Sequence, residues 1–160
     1  MAISGSWGFT NTSSSLHDVT PVVIDTTTKY AVVSDTVGKT VIRNVTSPID
    51  QEEVITYQGQ DVKKVVQTRS NVNPPKNEGG RTINVKLEAK KRLTSSTDDA
   101  FVVDLPVSID LTFRFTKSQY IDASDLTMLL TRIIGSLYDS DDSGNTRLDN
   151  LMLGQYNPNN

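Results

Sequence analysis

Few side chains in this 160-residue sequence have the type and spacing that chemistry needs. His17, the sole histidine, stands in a Ser/Thr-rich stretch and reads as an exposed side chain rather than a general base. There is no cysteine, which excludes disulfides, zinc-thiolate sites and thiol catalysis. Nucleophile-elbow, P-loop, dinucleotide and zinc-protease signatures are all missing, so no cofactor is expected. One metal motif needs weighing. "DSDDSGNTRLDN" (Asp139–Asn150) begins like an EF-hand loop, with Asp139, Asp141 and Gly144 at its first, third and sixth positions. Ser143 is a weaker ligand, and Asn150 stands where a bidentate glutamate is required. An acidic turn between helices is the expectation, with no metal. The pairs Asp98–Asp99 and Asp141–Asp142 sit in polar loops as solvated turns. The sequons at Asn11 and Asn44 carry no weight without a secretion signal. An enzyme is not expected.

Charge is more informative. Between Asp61 and Arg92 lie nine basic residues against three acids; the remainder holds seven basic and sixteen acidic residues. A basic segment in a chain of net charge −3 predicts a polarised surface, with one side suited either to phosphates or simply to water. No apolar run approaches the roughly 18 residues of a membrane helix, and the start resembles no signal peptide. The expectation is a soluble, cytosolic chain with no membrane partner.

The elements that must position these charges are mostly strands. Residues 1–27 read as an irregular arm. "KYAVVS" (Lys29–Ser34) and "TVIRNV" (Thr40–Val45) are predicted strands joined by a tight turn at Gly38. "EVITY" (Glu53–Tyr57), bounded by Gly59, and "VKKVVQTRS" (Val62–Ser70) are the next two, followed by the turn "NPPKNEGG". In "RTINVKLEA", Ile83, Val85, Leu87 and Ala89 point one way, and Thr82, Asn84, Lys86 and Glu88 the other. In the last strand Ile109, Leu111, Phe113 and Phe115 oppose Ser108, Asp110, Thr112, Arg114 and Thr116. The period then changes. Asp122 or Ser124 caps a helix with a Leu126–Leu129–Leu130–Ile133–Ile134–Leu137 stripe, interrupted by Gly135, and a short second helix stops at Gly154. Burying the four apolar residues of the last strand is worth roughly 1.5–3 kcal/mol each. Two short helices are narrow cover for five or six strands, so a second copy of the chain is expected to complete the core.

This order resembles the coat proteins of single-stranded RNA bacteriophages, the levivirus type. The likeness lies in "RTINVKLEA", the polar loop, "SIDLTFRFTKSQYIDASDLTMLLTRIIGSL" and the closing "RLDNLMLGQYNP", over Gly80–Tyr156. Residues 28–79 follow the family order more loosely, and the arm at 1–27 has no matching counterpart; contacts with neighbouring subunits are expected of it. The resemblance implies an α+β fold for residues 28–160: an N-terminal β-hairpin, an antiparallel meander sheet over 28–116, and helices near 123–138 and 146–153. It implies that these helices cover the sheet of a twofold partner, and that dimers build an icosahedral shell assembled in a bacterial host's cytoplasm.

The resemblance further implies that the sheet's polar face lines the shell and binds single-stranded genomic RNA, including a hairpin that represses replicase translation. By strand position the RNA candidates are Thr82, Asn84 and Lys86, with Ser108, Asp110 and Thr112 on the last strand and Arg81 as a second phosphate ligand. The register of 62–70 is open: one parity adds Lys63, Gln67 and Arg69, the other Lys64 and Thr68. The first places Val66 in the core and is preferred. The loop Ser96, Thr97, Asp98, Asp99 corresponds to the family's inter-subunit loop, where cations bridging the acids would make particles sensitive to chelators. Two rivals stand beside this reading. A pilin- or adhesin-like β subunit fits the Ser/Thr-rich arm but wants a secretion signal. A non-capsid RNA-binding sheet fits the basic segment but wants paired stacking aromatics.

Overall fold

The computed structural model describes residues 24–63, 79–97, 100–118, 120–138 and 147–156. His17, most of the N-terminal arm, the segment 64–78 with Gln67 and Arg69, the pair Asp98–Asp99, and most of the EF-hand-like loop lie outside them. The described residues fall into two compact units, a sheet unit up to Lys117 and a helical unit from Ser118.

The sheet unit is an open antiparallel meander of five strands in sequence order: β1 (Tyr30–Thr36), β2 (Lys39–Asn44), β3 (Val54–Val62), β4 (Gly80–Thr94) and β5 (Val102–Thr116). β1 and β2 meet at a two-residue loop, Val37–Gly38, where Gly38 takes φ 82°. A side chain there is doubly opposed, because its Cβ would stand 3.0 Å from the Gly59 carbonyl oxygen. A hydrogen bond ties the turn to β3, with Gly59 N donating to Gly38 O at 2.8 Å. The predicted break at Gly59 is therefore corrected: β3 runs through it, and Val62 ends that strand instead of starting another. A Cβ added at Gly59 would meet nothing nearer than the Arg81 guanidinium at 3.5 Å, so space alone does not require the glycine inside this strand.

β4 and β5 are longer than their alternating cores suggested. Val54–Val62 pairs only with Gly80–Glu88, so Ala89–Thr94 and Val102–Val107 continue as a two-stranded ribbon. A single 3-10 turn at Ile49–Gln51 lies against that ribbon. Arg92 binds Asp104, its direct cross-strand partner, through two hydrogen bonds of 2.7 and 2.8 Å, and reaches Asp50 of the turn with a third. Lys90 adds a bond to the Asp50 carbonyl at 3.3 Å. These charge-assisted bonds hold the β2–β3 connection and the ribbon together.

Register decides what shares a face, because directly opposed residues project to the same side. One row reads Val32–Ile42–Ile55–Leu87–Ile109 across all five strands. Its centre is closed, with Ile55 3 % exposed, while its ends Val32 and Ile109 are open at 64 % and 63 %. Ile42 and Ile55 are the only buried hydrophobic side chains among the described residues.

In the helical unit α1 (Ala123–Gly135) opens with a reciprocal cap. Asp122 Oδ1 accepts from Ser124 N at 2.8 Å and Asp125 N at 3.1 Å, and Asp125 Oδ2 accepts from Asp122 N at 3.1 Å. The helix is shorter than the predicted 123–138. Gly135 is its last residue rather than an interior weakness, and Leu137 lies in the turn beyond. α2 (Arg147–Met152) starts against that turn through Leu148 N to Leu137 O at 3.1 Å, and Gly154, with φ 80°, lies in the turn that follows it. No residue of α1 is buried, so its apolar stripe keeps solvent-accessible surface.

Candidate nucleic-acid interface

Opposite the Val32–Ile109 row, the sheet presents a polar face. Its rows follow from the register: Gln60–Thr82–Arg114, then Lys39–Gln58–Asn84–Thr112, then Val41–Thr56–Lys86–Asp110, then Arg43–Val54–Glu88–Ser108. Six sequence-predicted residues, Thr82, Asn84, Lys86, Ser108, Asp110 and Thr112, thus share one face on two adjacent strands.

Within the face their side chains are already partly committed. Lys86 Nζ donates to Glu88 Oε1 at 2.8 Å, two residues along its own strand, although Asp110 is its cross-strand partner. That hydrogen bond, helped by the charges of Glu88 and Asp110, raises the Lys86 pKa against the desolvation that lowers it. Asn84 Nδ2 donates to Thr112 Oγ1 at 3.0 Å. Thr82 Oγ1 is closed off from solvent and has no hydrogen-bond partner. Arg43 is held by Glu52 at 3.0 Å.

Arg81 does not join this set. Its direct partners are Asp61 and Phe115, and strand alternation puts it on the apolar side, with its guanidinium 3.5 Å from where a Gly59 Cβ would stand. Adjacency in sequence to Thr82 separates the two across the sheet. Lys63 is exposed one residue past the last ladder pair, Val62–Gly80, so no pairing assigns it a face. Gln67 and Arg69 lie outside the described residues, as do Asp98 and Asp99. Ser96 and Thr97 are exposed between β4 and β5, and Thr97 N donates to Ser95 Oγ at 3.2 Å.

Sequence reasoning did not single out Lys39, Gln58, Gln60 or Arg114 as candidates. Alternation alone had put Arg114 on the polar face. The other three needed the β2–β3–β4 register, which no local pattern supplies. Among the described residues no group of three or more His, Cys, Asp or Glu side chains could hold a metal ion.

No family model and no curated protein matches the chain. Solved structures do. A chain of the virus-like particle of bacteriophage AVE015 superposes with a TM-score of 0.74 at 20 % identity, over 96 % of this chain and 98 % of that one. A chain of the virus-like particle of bacteriophage GQ-112 superposes with a TM-score of 0.71 at 16 % identity, over 98 % and 97 %. At such identities the likeness is one of fold, and it spans both partners almost end to end. The five-stranded open meander followed by C-terminal helix is the fold of the levi-type phage coat proteins, and this chain has it.

Proposed function

We propose that the chain is a structural capsid subunit, not an enzyme, which dimerises, assembles into an icosahedral shell and binds genomic RNA on the polar face of its sheet. The observation that carries this reading is the near end-to-end overlap with subunits of two virus-like particles. Dimerisation is supported by the incomplete core. Val103, Leu105, Val107 and Ile109 lie on one side of β5, between 38 % and 63 % exposed. Among the described residues β5 is an edge strand with no further strand beside it, and such edges pair with another chain unless protected. The half-open stripe of α1 is a second surface that a twofold partner would cover. RNA binding is supported by the collection of hydroxyl, amide and cationic side chains on the opposite face. Translational repression through an RNA hairpin, a virion location and assembly in a host cytoplasm follow from the same reading.

The test is expression of the full chain in bacteria, a sizing gradient of the lysate, imaging of the heaviest fraction and its ultraviolet absorbance ratio. Closed shells with nucleic-acid-like absorbance are expected. Well-folded small species free of nucleic acid would sink the capsid reading and favour an adhesin-like β subunit.

A further inference from the structure

The polar face is divided. From the Lys86 row toward the ribbon, every cation on it has a partner: Lys86 with Glu88, Arg43 with Glu52, Arg92 with Asp104 and Asp50, and Lys90 with the Asp50 carbonyl. The two rows toward the Gly80 end differ. They hold Arg114 and Lys39, both exposed and without an ion-pair partner among the described residues, and no acid at all. Between them stand Gln58, Gln60 and the Asn84–Thr112 pair, groups able to donate and accept hydrogen bonds. Thr82, directly opposed by Gln60 on one side and Arg114 on the other, has a hydroxyl bonded to neither.

A polyanion binds where cationic charge is not already neutralised, because a phosphate displacing a carboxylate from Lys86 must first break a 2.8 Å ion pair. We propose that the phosphodiester backbone of single-stranded RNA is held at this acid-free end, with Arg114 and Lys39 as its phosphate ligands and Gln58 and Gln60 as polar contacts between them. This assignment rests on the reading that the polar face binds RNA. Three inter-strand steps separate β2 from β5, about 14 Å, so Arg114 and Lys39 contact different phosphates of one strand. Lys86 is then a structural cation that neutralises Glu88 and Asp110, and is not a phosphate ligand.

Binding of the purified full-length chain to a labelled oligouridylate, titrated over a series of salt concentrations, tests this. For single strands, each phosphate neutralised adds about 0.7 to the magnitude of the log–log salt slope. Arg114→Gln and Lys39→Gln are each expected to reduce the slope by about that amount, Lys86→Gln to leave it unchanged, and Arg114→Lys to restore it. Slopes unchanged in both Arg114→Gln and Lys39→Gln, or a Lys86→Gln slope reduced as much as theirs, overturn the assignment and leave RNA binding standing. A wild-type chain with no salt-sensitive binding overturns both.

Discussion

Lys86 and Glu88 are joined by a 2.8 Å ion pair along one strand, on the face where Asp110 stands directly across from the lysine. Two carboxylates thus surround a residue whose type alone would mark it for phosphate. Glu88→Gln removes one of them and frees the ammonium. The expected outcome is a tighter RNA complex with a salt slope steeper by up to about 0.7, while Asp110→Asn has a smaller effect because it is not hydrogen-bonded to Lys86. Fluorescence titration at two salt concentrations checks both.

Arg92 sets an acid limit. Its hydrogen bonds are the leading cause that holds Asp104 and Asp50 below the usual carboxylate range. Carboxyls whose folded pKa is depressed contribute stability that is complete above their unfolded pKa, near 3.9. That contribution is lost as pH falls through the lower folded value. Asp25, whose carboxylate accepts from the Thr27 and Thr28 amides and is drawn down to about 2 chiefly by the Thr28 hydroxyl, loses these bonds' contribution as pH falls toward that value. Between pH 6 and pH 3 the wild-type melting temperature is expected to fall more steeply than that of Arg92→Gln, whose Asp50 and Asp104 lose the largest cause that favours their ionised form. Equal slopes in differential scanning fluorimetry would mean that the cluster is inert.

Gly38 and Gly59 are not equivalent. At Gly38 a side chain would suffer both the positive φ and a 3.0 Å approach to the Gly59 carbonyl. Gly38→Ala is expected to cost about 1–2 kcal/mol, read as a lowered urea midpoint. At Gly59 the nearest atoms to an added Cβ are the Arg81 guanidinium nitrogens at 3.5 Å, ordinary contact with a flexible side chain. Gly59→Ala should therefore stay within about 0.5 kcal/mol of wild type.

The exposed side of β5 predicts how assembly fails. Ile109 ends the apolar row at 63 % exposure, so a charge there meets water in an isolated subunit and a partner's apolar surface in a dimer. Ile109→Lys is expected to leave the circular dichroism spectrum unchanged and to shift sedimentation from shells or dimers to monomers. Unchanged particle size would exclude this row from the interface.

Asp122 begins α1 through hydrogen bonds to two backbone amides, reciprocated by Asp125. Asp122→Ala should lower helix content and the melting temperature, with Asp122→Asn recovering most of the loss, since an amide oxygen also accepts. Equal losses in both variants would assign the effect to charge.

The alternating faces of β4 and β5, the Asp122 cap, the Gly38 turn and the stop at Gly154 were all legible in the residues. Each depends on interactions within a few positions of the chain. Side-chain alternation is a property of one extended backbone, so Thr82, Asn84 and Lys86 were bound to share a face, and so were Ser108 and Asp110. The same rule excluded Arg81, whose sequence neighbourhood suggested otherwise. Gly59 misled because a glycine that ends a strand and one that lies inside it look identical in sequence. Only the β3–β4 ladder, which continues through Gly59 opposite Ile83, tells them apart.

Apart from Lys86 and Glu88, which alternation already sets two positions apart on one face, which cations remain available lay beyond any local pattern. Glu88 pairs with Lys86, Glu52 with Arg43 and Asp50 with Arg92, and the last joins residues 42 positions apart. Lys39 and Arg114 come to neighbouring rows only through three successive registers, β2 on β3, β3 on β4 and β4 on β5. The sequence by itself determined the two faces of each strand and the identity of the charges, because those follow from covalent order and a period of two. The tertiary structure decided which charges meet an opposite partner and which are left facing water, because that depends on hydrogen-bond ladders between strands distant in sequence.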